Sequence, residues 1–349
     1  MVLVDGTQKE MEKERFLLVH QHQLTMENSS HITTFLFTIY EEIGYLRYLY
    51  FTAALLGYLV ILFVNIVLIT VIIRERSLHE PMYIFVCNLA LNGLYGSSAF
   101  YPRLMHSLLA DTPTISRFGC LLQIFCIHTY GMFEFSILSV MAYDRYVSIC
   151  NPLRYSSIMS PRKVAGLTAF VYLYPICIFI IHISLTIRLP LCGSVIEKLY
   201  CDNWSVVKLS CVDISVNSVF GLCVTVLVMI PQLIVVAYSY IKIITVCLKA
   251  SKEARGKAVQ TCVPHLVTLT NYYIATFFEV LHQRFDTKNL PLVLRIIMSV
   301  DFLLLPPLLN PIIYGVKIQA IRKRVIQMFK SSKANSISGA QKKMVSVLQ

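Results

Sequence analysis

Apolar residues in this chain gather into seven long blocks, at 49–73, 82–105, 118–149, 164–187, 214–248, 258–281 and 292–314, separated by more polar stretches. A hydrocarbon layer of about 30 Å takes roughly 20 helical residues to cross, and each block is long enough. Inside lipid every backbone N–H and C=O needs a partner within a helix or a closed barrel. Blocks this long and uniform lack the roughly ten-residue alternating segments of barrel strands. The pattern therefore predicts an all-α membrane protein, a bundle of seven transmembrane helices. The second and third blocks are the least uniform, because the second carries Asn88, Asn92, Gly93 and Pro102 and the third holds Glu134. Polar groups at that depth face the bundle interior. The interior prolines Pro175, Pro231, Pro264, Pro306 and Pro311 fit the same picture. A membrane helix tolerates a proline when a neighbouring helix re-satisfies the carbonyl it frees.

Charge then orients the bundle. With an outer N-terminus and seven crossings, 19 of the 31 Lys and Arg residues fall on the inner side. Three of the outer twelve, Lys9, Lys13 and Arg15, lie too far from the first helix to steer it. The net charge of +12 is thus a topology signal and not the footprint of a nucleic-acid binder. Residues 1–25 are polar apart from the apolar run 16–19, so the first helix is expected to act as its own insertion signal. Met26, followed by Glu27, Asn28, Ser29 and Ser30, reads as a natural second start. The expected organisation is an extracellular tail over 1–48, the bundle over 49–316, an interfacial amphipathic helix over 317–330 and a disordered cytoplasmic tail over 331–349. Within 317–330, Ile318, Ile321, Val325 and Met328 share one helical face with bases opposite, a pattern that suits an anionic membrane lipid surface.

Four of the eleven cysteines, Cys120, Cys192, Cys201 and Cys211, fall on the outer side, where oxidation is permitted. Four cysteines allow three pairings, and spacing does not choose among them. The other seven read as buried small apolar residues or free thiols. Sequons stand at Asn28 and Asn203. The tail position is the better glycan acceptor, while Asn203, flanked by Cys201 and Cys211, is expected to be unmodified. The chain has no HExxH spacing, no GxSxG elbow and no phosphate-cradling glycine loop, so neither an enzyme nor a metal or cofactor is expected. A polytopic small-solute transporter is the main rival reading, but no internal repeat of broken helices is visible.

At the inner end of the third block stands Met141-Ala142-Tyr143-Asp144-Arg145-Tyr146, followed by Val147-Ser148-Ile149-Cys150-Asn151-Pro152-Leu153-Arg154-Tyr155. This run resembles the MAYDRYVAICxPLxY signature of odorant receptors, a family of class A G-protein-coupled receptors. Further resemblances follow in order: Leu78 to Tyr83 to LHxPMY, Ser239-Tyr240 to the SY pair, Lys257 to Leu266 to KAxxTCxxHL, and Asn310-Pro311-Ile312-Ile313-Tyr314 to NPxxY. The resemblance implies a receptor at the plasma membrane, in sensory cilia, that detects a small-molecule odorant. It implies coupling to an olfactory stimulatory heterotrimeric G protein, with Asp144, Arg145, Tyr146, Tyr240, Asn310, Pro311 and Tyr314 in the switching machinery. It also implies the pairings Cys120–Cys201 and Cys192–Cys211. A class A receptor for a non-odorant ligand is the other alternative.

The chain also departs from the family pattern. Gly93, preceded by Asn92, stands where members carry an Asp that serves an inner sodium site, and Tyr272-Tyr273-Ile274 stands where FYG is usual. Such variants resemble fish receptors. The resemblance places the odorant cavity among the outer halves of the third, fifth, sixth and seventh helices. The expected lining is His128, Gly131 and Met132 from the third, and Val224, Thr225, Tyr273, Thr276, Phe277, Val280 and Arg284 from the fifth and sixth. Residues 120–130 carry no acid to meet an ammonium, which disfavours an amine as main ligand. His128 and Arg284 instead point to a small acidic or otherwise polar water-soluble odorant, because a guanidinium binds carboxylate bidentately.

Overall fold

The computed structural model describes residues 32–284 and 290–328, apart from the side chains of Lys257, Phe277 and residues 280–284. Seven long helices carry the architecture: α1 (Arg47–Arg74), α2 (Pro81–Leu109), α3 (Arg117–Cys150), α4 (Pro161–Ile187), α5 (Ser215–Lys249), α6 (Lys252–Arg284) and α7 (Leu292–Lys317). Proline opens α2 and α4 at a position where its missing N–H costs nothing. Ser116 caps α3 by accepting from the Gly119 N–H at 3.1 Å. Five of the seven, all but α2 and α6, are apolar enough along their length to cross a membrane on composition alone. α3 keeps an apolar stretch long enough to cross despite its lone carboxylate. α3 runs through the middle, touching α2, α4, α5 and α6, and is the most buried of the five.

The prolines show how the bundle tolerates broken helices. Pro311 leaves the Pro307 carbonyl without its helical donor, and Asn65 Nδ2 of α1 supplies one at 2.8 Å. Pro306 frees the Phe302 carbonyl, which accepts from the Tyr130 hydroxyl of α3 at 3.0 Å. Pro231 frees the Leu227 carbonyl, which accepts from the Tyr174 hydroxyl of α4 at 2.9 Å. Each bond crosses between helices, so the kinks also fix helix against helix.

On the outer face a small sheet closes the bundle. Its strands are β1 (Thr34–Phe37), β2 (Thr114–Ser116) and β3 (Val195–Ile196), in the order β2-β1-β3. β1 is antiparallel to β2 and parallel to β3. Phe35 and Phe37 are fully buried, so part of the segment expected as a tail is built into the outer core. The disulfide Cys120–Cys201 ties the α4–α5 loop to the head of α3 with Cα atoms 5.4 Å apart, and Cys192–Cys211 closes the loop on itself at 5.1 Å. After α7, residues 319–328 are helical. Ile321 is buried in the inner core there, and Ile318, Val325 and Met328 pack against it.

Candidate ligand cavity and coupling surface

Below the α4–α5 loop lies a cavity of about 190 Å³. Its walls come from α3, α4, α5, α6, α7 and the loop. His128, Gly131, Met132, Val224, Thr225 and Thr276 all line it. Tyr273 does not; its ring packs edge-on against Phe135 at 5.2 Å. The cavity residue is Tyr272, whose hydroxyl donates to the Gly131 carbonyl at 2.7 Å. The reason is helical phase, since Tyr272, Thr276 and Glu279 are spaced four and three apart and share one face. The side chains of Phe277, Val280 and Arg284 lie outside the described residues, as does Asn28.

The apolar part of the wall includes Met132, Phe179, Val228 and Phe302. His128 stacks on Phe179 with ring centres 4.9 Å apart, and its Nδ1 lies 2.9 Å from the Ile124 carbonyl. A proton on Nδ1 serves that carbonyl and leaves Nε2 an acceptor. His182 of α4 also lines the cavity, and its Nε2 accepts from Asn203 Nδ2 at 3.2 Å. Asn203 Oδ1 in turn accepts from Thr186 at 2.7 Å. The sequon amide at Asn203 is thus buried and engaged on both atoms.

The polar end of the cavity consists of groups the sequence pattern missed. Asp202 and Glu279 both line it. Lys198 Nζ lies 3.3 Å from Asp202 Oδ2 and 3.2 Å from Glu279 Oε1. The Tyr200 hydroxyl donates to the same Glu279 oxygen at 2.8 Å. Burial raises the Asp202 pKa, but the Lys198 ammonium and the Ser205 hydrogen bonds outweigh it and hold the carboxyl below its ordinary value. Lys198 is the mirror case: burial lowers its pKa, Asp202 and Glu279 raise it, and the net direction is upward. One signal was available, because the cystine at Cys201 places Asp202 beside α3.

Midway down, Glu134 joins three helices. Its carboxylate accepts from Asn92 Nδ2 of α2 and from Asn310 Nδ2 of α7, both at 2.7 Å. A Cβ at Gly93 would already lie 3.3 Å from Asn65 Oδ1 and 3.4 Å from the Pro307 Cα. The absence of an aspartate there therefore accompanies a close approach of α1 and α7 to α2.

At the inner end Arg145 pairs with Asp144 at 2.5 Å, and Tyr155 donates to the other oxygen of Asp144 at 2.7 Å. Asp144 is fully buried. Burial first, and the adjacent Asp144 second, push the Tyr155 hydroxyl pKa upward. Tyr240 of α5 donates to His265 Nδ1 at 2.6 Å while His265 Nε2 donates to the Leu138 carbonyl at 3.0 Å, stapling α5, α6 and α3 together. Tyr146 is half-buried against Tyr238, and Asn310, Pro311 and Tyr314 are buried on α7.

A sequence-family profile described as "Olfactory receptor" matches residues 54–332. Olfactory receptor 52D1 of Homo sapiens is 40% identical over 281 residues, spanning 80% of this chain and 88% of that protein. Olfactory receptor 51E2 of Homo sapiens is 38% identical over 283 residues, spanning 79% of this chain and 86% of that protein. Among solved structures, squid rhodopsin superposes with a TM-score of 0.65 at 17% identity, covering 82% of this chain and 87% of its own. That last likeness speaks to the fold alone.

Proposed function

The chain belongs to the olfactory receptor family and is a multi-pass, G-protein-coupled odorant receptor; on that footing we propose that it raises cyclic AMP through an olfactory stimulatory G protein when a small odorant enters the outer cavity. His128, Gly131, Met132, Val224, Thr225 and Thr276 are its proposed contacts. Arg284 keeps its proposed place at the mouth from the sequence alone. We place the receptor in the plasma membrane of sensory cilia, with 317–330 against inner-leaflet lipid and 331–349 as a cytoplasmic tail.

The observation that carries the reading is that one helix, α6, holds both a cavity wall and an inner staple. Tyr272, Thr276 and Glu279 line the cavity, and His265 bonds to Tyr240 and Leu138. From Glu279 to His265 is about 21 Å at 1.5 Å per residue. A ligand that holds the outer end of α6 differently in two states biases the staple by its differential affinity for them. Opening the inner face then requires Arg145 to leave Asp144 and meet the G protein, with Tyr240 and Tyr314 supporting the open arrangement.

The test is to expose cells expressing the chain to water-soluble odorants and to measure cyclic AMP beside uptake of the labelled odorant. A cyclic AMP rise without uptake is expected. Uptake without cyclic AMP would overturn the proposed coupling.

A further inference from the structure

Against the polar end of the cavity the protein holds an ammonium group of its own, on Lys198, which touches the lining acids Asp202 and Glu279 without lining the cavity itself. Lys198 reaches in from the α4–α5 loop until its side chain is 9% exposed. Its Nζ contacts Asp202 and Glu279 and lies 5.8 Å from the centre of the Tyr200 ring. Two carboxylates and an aromatic face are what an ammonium seeks when it leaves water. Asp202, Tyr200 and Glu279 line the cavity.

We propose that this seat is the polar subsite of the odorant cavity, and that it takes the ammonium of a small protonated aliphatic amine, which displaces Lys198. The proposal rests on the odorant-receptor reading and names its ligand class. Exchange of one ammonium for another leaves the charge of the buried cluster unchanged. The lysine, on a flexible four-carbon stem from a surface loop, returns to water. The incoming amine brings a hydrocarbon body that lies against the apolar wall of Met132, Phe179, Val228 and Phe302. An acidic odorant, the class expected from His128 and Arg284, would instead add a third carboxylate next to Asp202 and Glu279. A neutral alcohol has no charge with which to displace Lys198. The acid that the sequence pattern sought on α3 is supplied by α6 and the loop.

The experiment compares straight-chain amines, alcohols and carboxylic acids of three to six carbons. Cyclic AMP is measured in cells, and thermal stabilisation on the purified full-length receptor. In the parent the best amine is expected to be at least about tenfold more potent than the alcohol and acid of equal length. Lys198→Met removes the resident competitor and is expected to raise amine potency about tenfold while leaving the alcohols unchanged. Glu279→Gln is expected to lower amine potency by a similar factor. Stabilisation of the parent by amines needs no variant, so a poorly folding substitution does not protect the idea. Amine stabilisation without cyclic AMP would uphold the seat and defeat the signalling reading. Cyclic AMP driven by acids or alcohols but not amines would overturn the seat and leave the receptor reading intact. A Lys198→Met receptor that reaches the surface with weaker amine responses would also overturn it, as would no stabilisation by any amine.

Discussion

Replacing Glu134 by alanine and by glutamine separates two accounts of the polar hub. The parent carboxylate accepts from Asn92 and Asn310. Alanine removes both acceptors. Asn92 Nδ2 keeps the Tyr130 carbonyl at 3.1 Å, but the Asn310 amide is stranded inside the bundle. A stranded buried donor costs about 1–3 kcal/mol, and the space left by the shortened side chain adds a cavity penalty, for a total on the order of 2–5 kcal/mol. Glutamine keeps the shape. Its oxygen accepts from Asn310, and its amide can donate to Asn92 Oδ1 or Asn310 Oδ1, buried acceptors that have no partner among the described residues. The expected cost of Glu134→Gln is within about 1 kcal/mol. Thermal unfolding of the purified receptor in detergent measures the difference. Alanine should lower the midpoint by on the order of 5–10 °C and glutamine by a few degrees at most. A glutamine variant as unstable as the alanine one would refute the reasoning, because the hub would then depend on charge and not on hydrogen-bond geometry.

Cys120→Ser opens a loop of sequence separation 81, worth about 4.5 kcal/mol on the chain-entropy account. Flow cytometry should find the variant retained inside the cell, and normal surface delivery would argue against the bridge. Gly93→Asp forces a side chain against Asn65 and Pro307. It should destabilise the receptor by about 1–3 kcal/mol, and a gain in thermal stability would contradict the packing described. Because Asn203 is buried and bonded to His182 and Thr186, glycosidase treatment should shift the parent and Asn203→Gln alike on a gel and leave Asn28→Gln unshifted.

Seven helices were readable because each span writes itself as a long block richer in apolar residues than its flanks, even in α2 and α6, where polar residues thin the run. Helix rotation is harder to read. Tyr272 and Tyr273 are adjacent aromatics, and on a helix with one face towards lipid and another towards the bundle no apolar stripe says which tyrosine turns inward. The cluster of Lys198, Asp202 and Glu279 was out of reach for another reason. Its ion pair to α6 spans 81 residues and depends on how the loop folds over the bundle. β1 looked like tail because four residues, Thr-Phe-Leu-Phe, carry too little pattern to announce a strand whose partners lie far along the chain. The inner motif was legible almost letter by letter, since Asp144, Arg145 and Tyr155 lie within one short segment.

The central claim is that an odorant in the outer cavity signals through Arg145 at the inner face. Its most direct test is cyclic AMP in cells carrying the parent or Arg145→Ala, matched for surface expression and given an odorant that activates the parent. The account predicts a rise in the parent that is lost in Arg145→Ala, while odorant stabilisation of the purified protein is retained. An Arg145→Ala receptor that signals as strongly as the parent would contradict it.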